Sequence, residues 1–271
     1  MNNNFEGGLY MSYQSRKIRE LFESLKVYSD NKDIYISKII ENVMFILINR
    51  RAVKTDNLDK RRIESFSNYI KDILNQLYED YIERKGSKNN VGQDIEYVGL
   101  GFTFITFRVG DNVIKFGKSE QTIPPTTLES RYQVPLYIRE SYEITNRIHF
   151  RVEVAPYVDT SNITYEDLYK TYSNIRDLGY IWNDPKEENM GRIINVDGCK
   201  IGGKTYLPSQ QLKKGDLVLI DLDDIAYVGE ETSDIILEEI STMSYNRNVY
   251  IFETRHMKEK GEKITNKNIK W

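Results

Sequence analysis

Cysteine and histidine are scarce in this chain: Cys199 is the single thiol, and His149 and His256 are the two imidazoles. One thiol excludes an intramolecular disulfide, and two separated histidines with one cysteine leave no cluster at zinc-ligand spacing. A reducing compartment fits this usage. Long apolar runs are lacking as well. The longest, Val43 to Ile48, falls far short of the roughly 20 residues that a bilayer-spanning helix needs, and reads as a buried helix segment. The stretch from Met1 to Gly8 has neither a basic region nor an apolar one, so a secretory signal is not expected and a cytoplasmic location is. Charge of one sign is not in excess either: 38 basic against 41 acidic side chains give a formal net charge of -3. That balance argues against a bulk electrostatic nucleic-acid binder. Neither a nucleic-acid nor a membrane partner is expected. The 20 tyrosines are scattered and form no stacking platform. A chain of 271 residues, 39% hydrophobic and 29% charged, can bury one sizeable core or two modest ones.

The first third is helical in pattern. Ser15 to Tyr28, Ile34 to Arg50 and Lys60 to Lys85 contain no proline or glycine. In the third run Ile63, Phe66, Ile70, Ile73, Leu74, Leu77 and Tyr81 recur at three-and-four spacing, which predicts one buried stripe. Asp56 and Asp59 are candidate caps, and Gly86 to Asn90 reads as a terminator and linker, with a boundary near residue 90. Short β-rich runs follow: Tyr97 to Val109 and Asn112 to Phe116, joined by a Gly110-Asp111-Asn112 turn. Leu136 to Ile144 and Phe150 to Val158 add two more, for a sheet of about five strands. Tyr165 to Leu178 predicts a helix ending at Gly179. Gly191 to Val196 and Leu217 to Ile220 predict a hairpin split by a glycine-containing insertion, and Asp234 to Tyr245 a last helix before a solvated Lys-rich tail.

Four features carry chemistry. In Tyr97-Val98-Gly99-Leu100-Gly101-Phe102-Thr103-Phe104 two glycines sit at a strand-turn-strand tip, where a missing Cβ lets backbone approach a phosphate. In Val113-Ile114-Lys115 a lysine inside an apolar strand must reach solvent or an anion. In Trp182-Asn183-Asp184-Pro185-Lys186-Glu187-Glu188-Asn189 Asp184 can accept a hydroxyl proton, Asn189 can coordinate Mg²⁺, and Lys186 can neutralise a phosphoryl group. In Leu217-Val218-Leu219-Ile220-Asp221 a carboxylate ends a buried-looking strand and suits a hard metal ion. Each has an ordinary structural alternative when taken alone: a hairpin glycine pair, an edge-strand lysine in water, a charged surface loop and a strand-terminating turn.

In this order and these settings the four features resemble the protein-kinase-like superfamily, over about residues 95 to 230. The resemblance implies an α+β, bilobal protein-kinase-like fold. A helical region over 1–90 would precede a small antiparallel β N-lobe over 91–158 and a reduced helical C-lobe over 159–271. It implies ATP and Mg²⁺ as cofactors. Gly99 and Gly101 would cover the phosphates and Lys115 would pair with them, with Glu129, or Glu120 as second choice, as the acidic partner. Ala155 and Tyr157, in the hinge Ala155-Pro156-Tyr157-Val158, would contact adenine; Asp184 would be the catalytic base, and Asn189 and Asp221 would hold metal. The implied activity is transfer of the γ-phosphoryl group to a hydroxyl on a protein or small molecule. A pseudokinase acting as a nucleotide- or partner-binding module and a nucleotidyl (AMP) transferase are the alternatives, and residues 1–90 are a candidate partner-binding region. The chain departs from the family pattern in four places. Phe104 stands where a third glycine is common, Trp182-Asn183 replaces His-Arg, Leu222-Asp223 replaces Phe-Gly, and no Ala-Pro-Glu follows. The reduced C-lobe that the resemblance implies is closer to small-molecule and atypical kinases than to regulated signalling kinases.

Overall fold

The computed structural model describes residues 16–49, 58–86, 90–101, 104–119, 130–146, 148–182, 185–208, 212–220 and 225–227. They gather into two compact units: one from 1–122, 136–157 and 195–208, the other from 123–135, 158–194 and 209–271.

Unit one begins with helical residues 16–24 (α1), which run into a 3-10 turn at Leu25–Tyr28. Helices α2 (Lys32–Asn49) and α3 (Lys60–Lys85) follow, then a short α4 (Val91–Asp94). The predicted stripe of α3 is buried at Phe66, Ile70, Ile73, Leu74 and Leu77. The Asp59 side chain caps its start by accepting the Arg61 N–H at 2.9 Å, a bond of the kind that stabilises a helix by about 1 kcal/mol. Gly86 ends it at φ 62°, its N–H donated to Ile82 O, a conformation that costs glycine least.

Five antiparallel strands come next: β1 (Ile95–Leu100), β2 (Phe104–Val109), β3 (Asn112–Ser119), β4 (Ile138–Thr145) and β5 (Ile148–Pro156), in the order β1-β2-β3-β5-β4. Gly110, at φ 55°, makes the β2–β3 turn, and a Cβ there would lie 2.1 Å from the Tyr81 ring of α3. Only glycine meets both demands. Alternate side chains of the sheet, among them Ile105, Phe107, Ile114, Phe116, Phe150, Val152 and Val154, pack with α2 and α3 into one core. The sequence sets residues 1–90 apart from the strands, whereas α2, α3 and the sheet share a single buried cluster. The strand expected to run through Val158 stops at Pro156, which has no N–H to continue a ladder, and the next N–H, that of Tyr157, is donated to Asp111 O at 2.8 Å.

Unit two contains a 3-10 turn at Ser130–Tyr132 and then β6 (Val158–Asp159), α5 (Tyr165–Asp177), β7 (Tyr180–Trp182) and β8 (Met190–Ile193). A reciprocal cap starts α5: Thr164 Oγ1 accepts the Asp167 N–H and Asp167 Oδ2 accepts the Thr164 N–H, both at 3.1 Å. Gly179, at φ 83°, follows the helix where the sequence predicts its stop. The chain then returns to unit one. The insertion forms its own hairpin of β9 (Cys199–Ile201) and β10 (Lys204–Tyr206), with Cys199 and Ile201 packed in the core on α3 and the Gly202 N–H donated to the Gln76 side chain. Among the described residues, strands β11 (Leu217–Leu219) and β12 (Ile225–Tyr227) follow in unit two and form two small sheets, β11-β8-β6 and β12-β7. The pairing of β8 with β11 realises the predicted hairpin. The helix predicted at Asp234 to Tyr245 and the Lys-rich tail lie outside the described residues. No described helix is long and apolar enough to cross a membrane.

Candidate functional site

Because side chains alternate along a strand, the face of the sheet away from α2 and α3 is fixed by register. Two rows cross it. One runs Phe104, Gly117, Arg151, Ser141, and the next runs Thr106, Lys115, Glu153, Arg139. Gly117 carries no side chain, so the ring of Phe104 and the guanidinium of Arg151 meet above it with Arg151 Cζ 4.8 Å from the ring centroid. Lys115 Nζ lies 5.7 Å from the same centroid. Arg151 Nη2 donates to Glu153 Oε1 at 2.7 Å, and Arg139 Nε approaches that oxygen at 3.3 Å. Arg151 and Glu153 are both buried, which a charged pair tolerates only when bonded this closely.

Gly99 and Gly101 stand at the end of this face nearest Phe104. Gly99 sits at a register shift in the β1–β2 pairing, and the Gly101 N–H donates to Phe104 O at 2.9 Å, closing the turn. Ala155 is buried on β5, paired with Val113. Arg108 Cζ lies 4.1 Å from the centroid of the Tyr157 ring. Glu129 and Glu120, the two expected partners of Lys115, lie outside the described residues. A cavity of about 230 Å³ opens on the helix side of the sheet, among Phe22, Tyr35, Ile95, Tyr97 and Phe107; Ile95, Tyr97 and Phe107 belong to the face opposite Lys115.

In unit two, β7 ends at the buried Trp182, whose indole N–H has no hydrogen-bond partner among the described residues. Asp184 lies outside the described residues. Pro185 is buried and Lys186 exposed. A 3-10 turn over Glu187–Asn189 follows, with the Asn189 N–H donated to Lys186 O at 3.1 Å. The Ile220 N–H then donates to Asn189 O at 3.0 Å. That bond joins the end of the Asp-x-Lys-x-x-Asn loop to the residue preceding Asp221, and Asp221 itself lies outside the described residues. Close packing holds the place: a Cβ on Gly191 would lie 2.3 Å from Val158 Cγ2. Arg192 Nη2 donates to Asp167 Oδ2 at 2.7 Å, tying β8 to α5. Burial would raise the Asp167 carboxyl, yet the bonds from Thr164 and Arg192 outweigh it and hold the group below the usual range.

An asparagine amide oxygen and aspartate carboxylates are hard donors of the kind Mg²⁺ takes, so the residue types at positions 189, 184 and 221 fit that ion. Among the described residues, no group of three or more His, Cys, Asp or Glu is placed to hold a metal. Sequence reasoning overlooked Arg139, Arg151 and Glu153. The strict alternation of Phe150-Arg151-Val152-Glu153-Val154 is the signal that puts both charges on the Lys115 side of the sheet. No protein-family model matches the chain, and no curated protein matches it.

Proposed function

We propose that the chain is an ATP-dependent phosphotransferase on a bilobal protein-kinase-like fold, transferring the γ-phosphoryl group of ATP to a hydroxyl of a protein or small molecule in the cytoplasm. The observation that carries the reading is the bond from Ile220 N–H to Asn189 O. It makes neighbours of two segments 31 positions apart in the chain (220 − 189), the two to which the motif reading assigns metal and phosphoryl chemistry. Support also comes from the five-stranded antiparallel sheet with Lys115 at mid-strand on the face free of α2 and α3, and from the turn closed between Gly101 and Phe104.

On this reading Lys115 holds the α- and β-phosphates, Gly99 and Gly101 bring backbone close to them, and Ala155 and Tyr157 face adenine. Asp184 accepts the proton of the attacking hydroxyl, and Lys186 offsets charge on the transferring group. Asn189 and Asp221 hold Mg²⁺, which when bound offsets charge on the phosphate oxygens. The test is incubation with labelled ATP and Mg²⁺, followed by intact-mass analysis of the protein and candidate acceptors. A phosphate increment on an acceptor is expected. An AMP increment would redirect the reading to nucleotidyl transfer. Nucleotide binding without any increment would make the domain a pseudokinase, and no binding at all would refute the nucleotide site.

A further inference from the structure

Helix α2 is apolar on more than the face it buries. Tyr35, Ile36, Ile39, Ile40, Val43 and Leu47 point into the core shared with α3 and the sheet. Away from that core Ile34 is 45% exposed and Phe45 63%, although Phe45 lies within Val43 to Ile48, the longest apolar run of the chain. Apolar surface aligned in water loses free energy when a partner covers it. At 3.6 residues per turn, Ile34, Lys38, Glu41 and Phe45 fall within about 60° of the helix circumference and over about 16 Å of its length. Lys38 and Glu41 pair with each other at 2.6 Å, their side chains 40% and 60% exposed. The Glu41 bond holds the Lys38 ammonium above its ordinary value, and the half-exposed Tyr28 adds to the effect, which places Tyr28 beside the same stripe.

The stripe is symmetric about its own midpoint. Ile34 and Phe45 stand equally far from the point between Ile39 and Ile40, as do Ser37 and Asn42, and Lys38 and Glu41. Each of these pairs is complementary in kind: apolar with apolar, polar with polar, positive with negative. A two-fold interface demands this, because residue i of one copy meets j of the other while j meets i. A different partner would place no such condition on the stripe. We propose that the exposed stripe of α2 is a homodimer interface, in which α2 packs antiparallel on α2 of a second copy about a two-fold axis between Ile39 and Ile40. Ile34 of each chain lies against the partner's Phe45, and Lys38 lies beside the partner's Glu41 while keeping its own. Two apolar contacts thus close the ends around four central charges that cancel. A single helix pair buries less than the about 1,200 Å² of a standard stable interface, so the dimer forms reversibly. The surface is independent of the phosphotransferase reading.

The experiment is analytical ultracentrifugation of the full chain over a concentration series of about 1 to 500 µM, the range of weak specific pairs, with melting curves to verify the fold of each variant. The wild type is expected to pass from monomer to dimer within that range. Phe45→Ser, which counts twice in a two-fold interface, should weaken dimerisation at least tenfold. Lys38→Glu and Glu41→Lys each set like charges against one another across the axis and should each weaken it at least fivefold. An equimolar mixture of those two variants restores opposite charges between chains but not within either, and should associate at least as tightly as the wild type. A Lys38–Glu41 pair that served only its own helix would give no recovery in the mixture, since both chains keep the pair broken; that result would overturn the proposal. Should Phe45→Ser lose its fold, the two charge reversals and their mixture decide alone. A monomer at every concentration would overturn the second copy as occupant and leave the stripe to a different protein. A dimer indifferent to Phe45→Ser and to both charge reversals would overturn it too, by placing the contact elsewhere.

Discussion

The single thiol offers a direct measure of how firmly the β9–β10 hairpin sits on α3. Cys199 is 2% exposed, and its thiol is pushed from 9.0 up to about 12, chiefly by burial and then by the nearby Asp80 carboxylate, with Arg84 pulling the other way. The thiolate is the species that reacts. At about pH 8 roughly one thiol in ten is ionised at the ordinary value, against roughly one in 10⁴ in the fold, so ionisation alone slows reaction about 10³-fold. Steric exclusion slows it further. The assay is labelling with an aromatic disulfide reagent, followed by absorbance, on native protein and in denaturant. With one cysteine in the chain every equivalent released belongs to Cys199. Native labelling is expected at least 10³-fold slower than denatured labelling. A ratio under tenfold would refute the docked, protonated thiol and the hairpin's place in the core with it.

Asp184→Asn keeps size and removes charge, so turnover is expected to fall at least tenfold with little change in ATP affinity, whereas Lys115→Ala should damage both. Wild-type transfer by folded Asp184→Asn would exclude Asp184 as the base. Burial pushes the Tyr35 and Tyr142 hydroxyls up to about 12, and raises Tyr69 and Tyr137 further. Unfolded tyrosine ionises near about pH 10, so this stabilisation is full below that pH and is lost as pH rises towards 12. Urea midpoints should fall across that window and tyrosinate absorbance should rise with loss of helical signal; ionisation with the fold intact would contradict this. Gly198→Ala would strain a residue at φ 75° and place a Cβ 2.0 Å from Tyr206 O, a loss of about 2 to 4 kcal/mol. Gly202→Ala, with nothing within 4 Å of its Cβ, should cost about 1 kcal/mol from backbone conformation alone. Equal denaturation midpoints for the two variants would rule out the Gly198 clash.

Elements with a strong local signal were legible in the sequence. The run Lys60 to Lys85 is helical at those bounds because its stripe is continuous and both ends carry capping residues. The Gly110-Asp111 turn, the hairpin partners around Gly191 and Val218 and the five-strand count follow from period-two patterning and turn chemistry. What depends on long-range register was not. Nothing within Phe150 to Val154 announces that Glu153 lies opposite Lys115 or that Arg139 flanks it, since strand order sets both. The destination of the insertion was hidden for the same reason, as Cys199 and Ile201 find their apolar partners on a helix far back in the chain. At the candidate site, the backbone tie between Asn189 and Ile220 was implicit in the expected pairing of their strands. Lys115, by contrast, was visible singly and its charged neighbours were not.

The hairpin on α3 also fixes an order of events during synthesis. Gln76 and Gly202 are 126 positions apart, so the core containing α3 cannot close until the chain has been made through Tyr206. Before that, the surface of α3 that later covers Cys199 and Ile201 is open to solvent. Contacts of such separation slow folding and leave apolar surface open to association. A nascent chain arrested before residue 199 therefore carries all five strands of the sheet with an unsealed flank on α3, a form in which chaperone binding should be strongest and from which release should coincide with emergence of the β9–β10 segment.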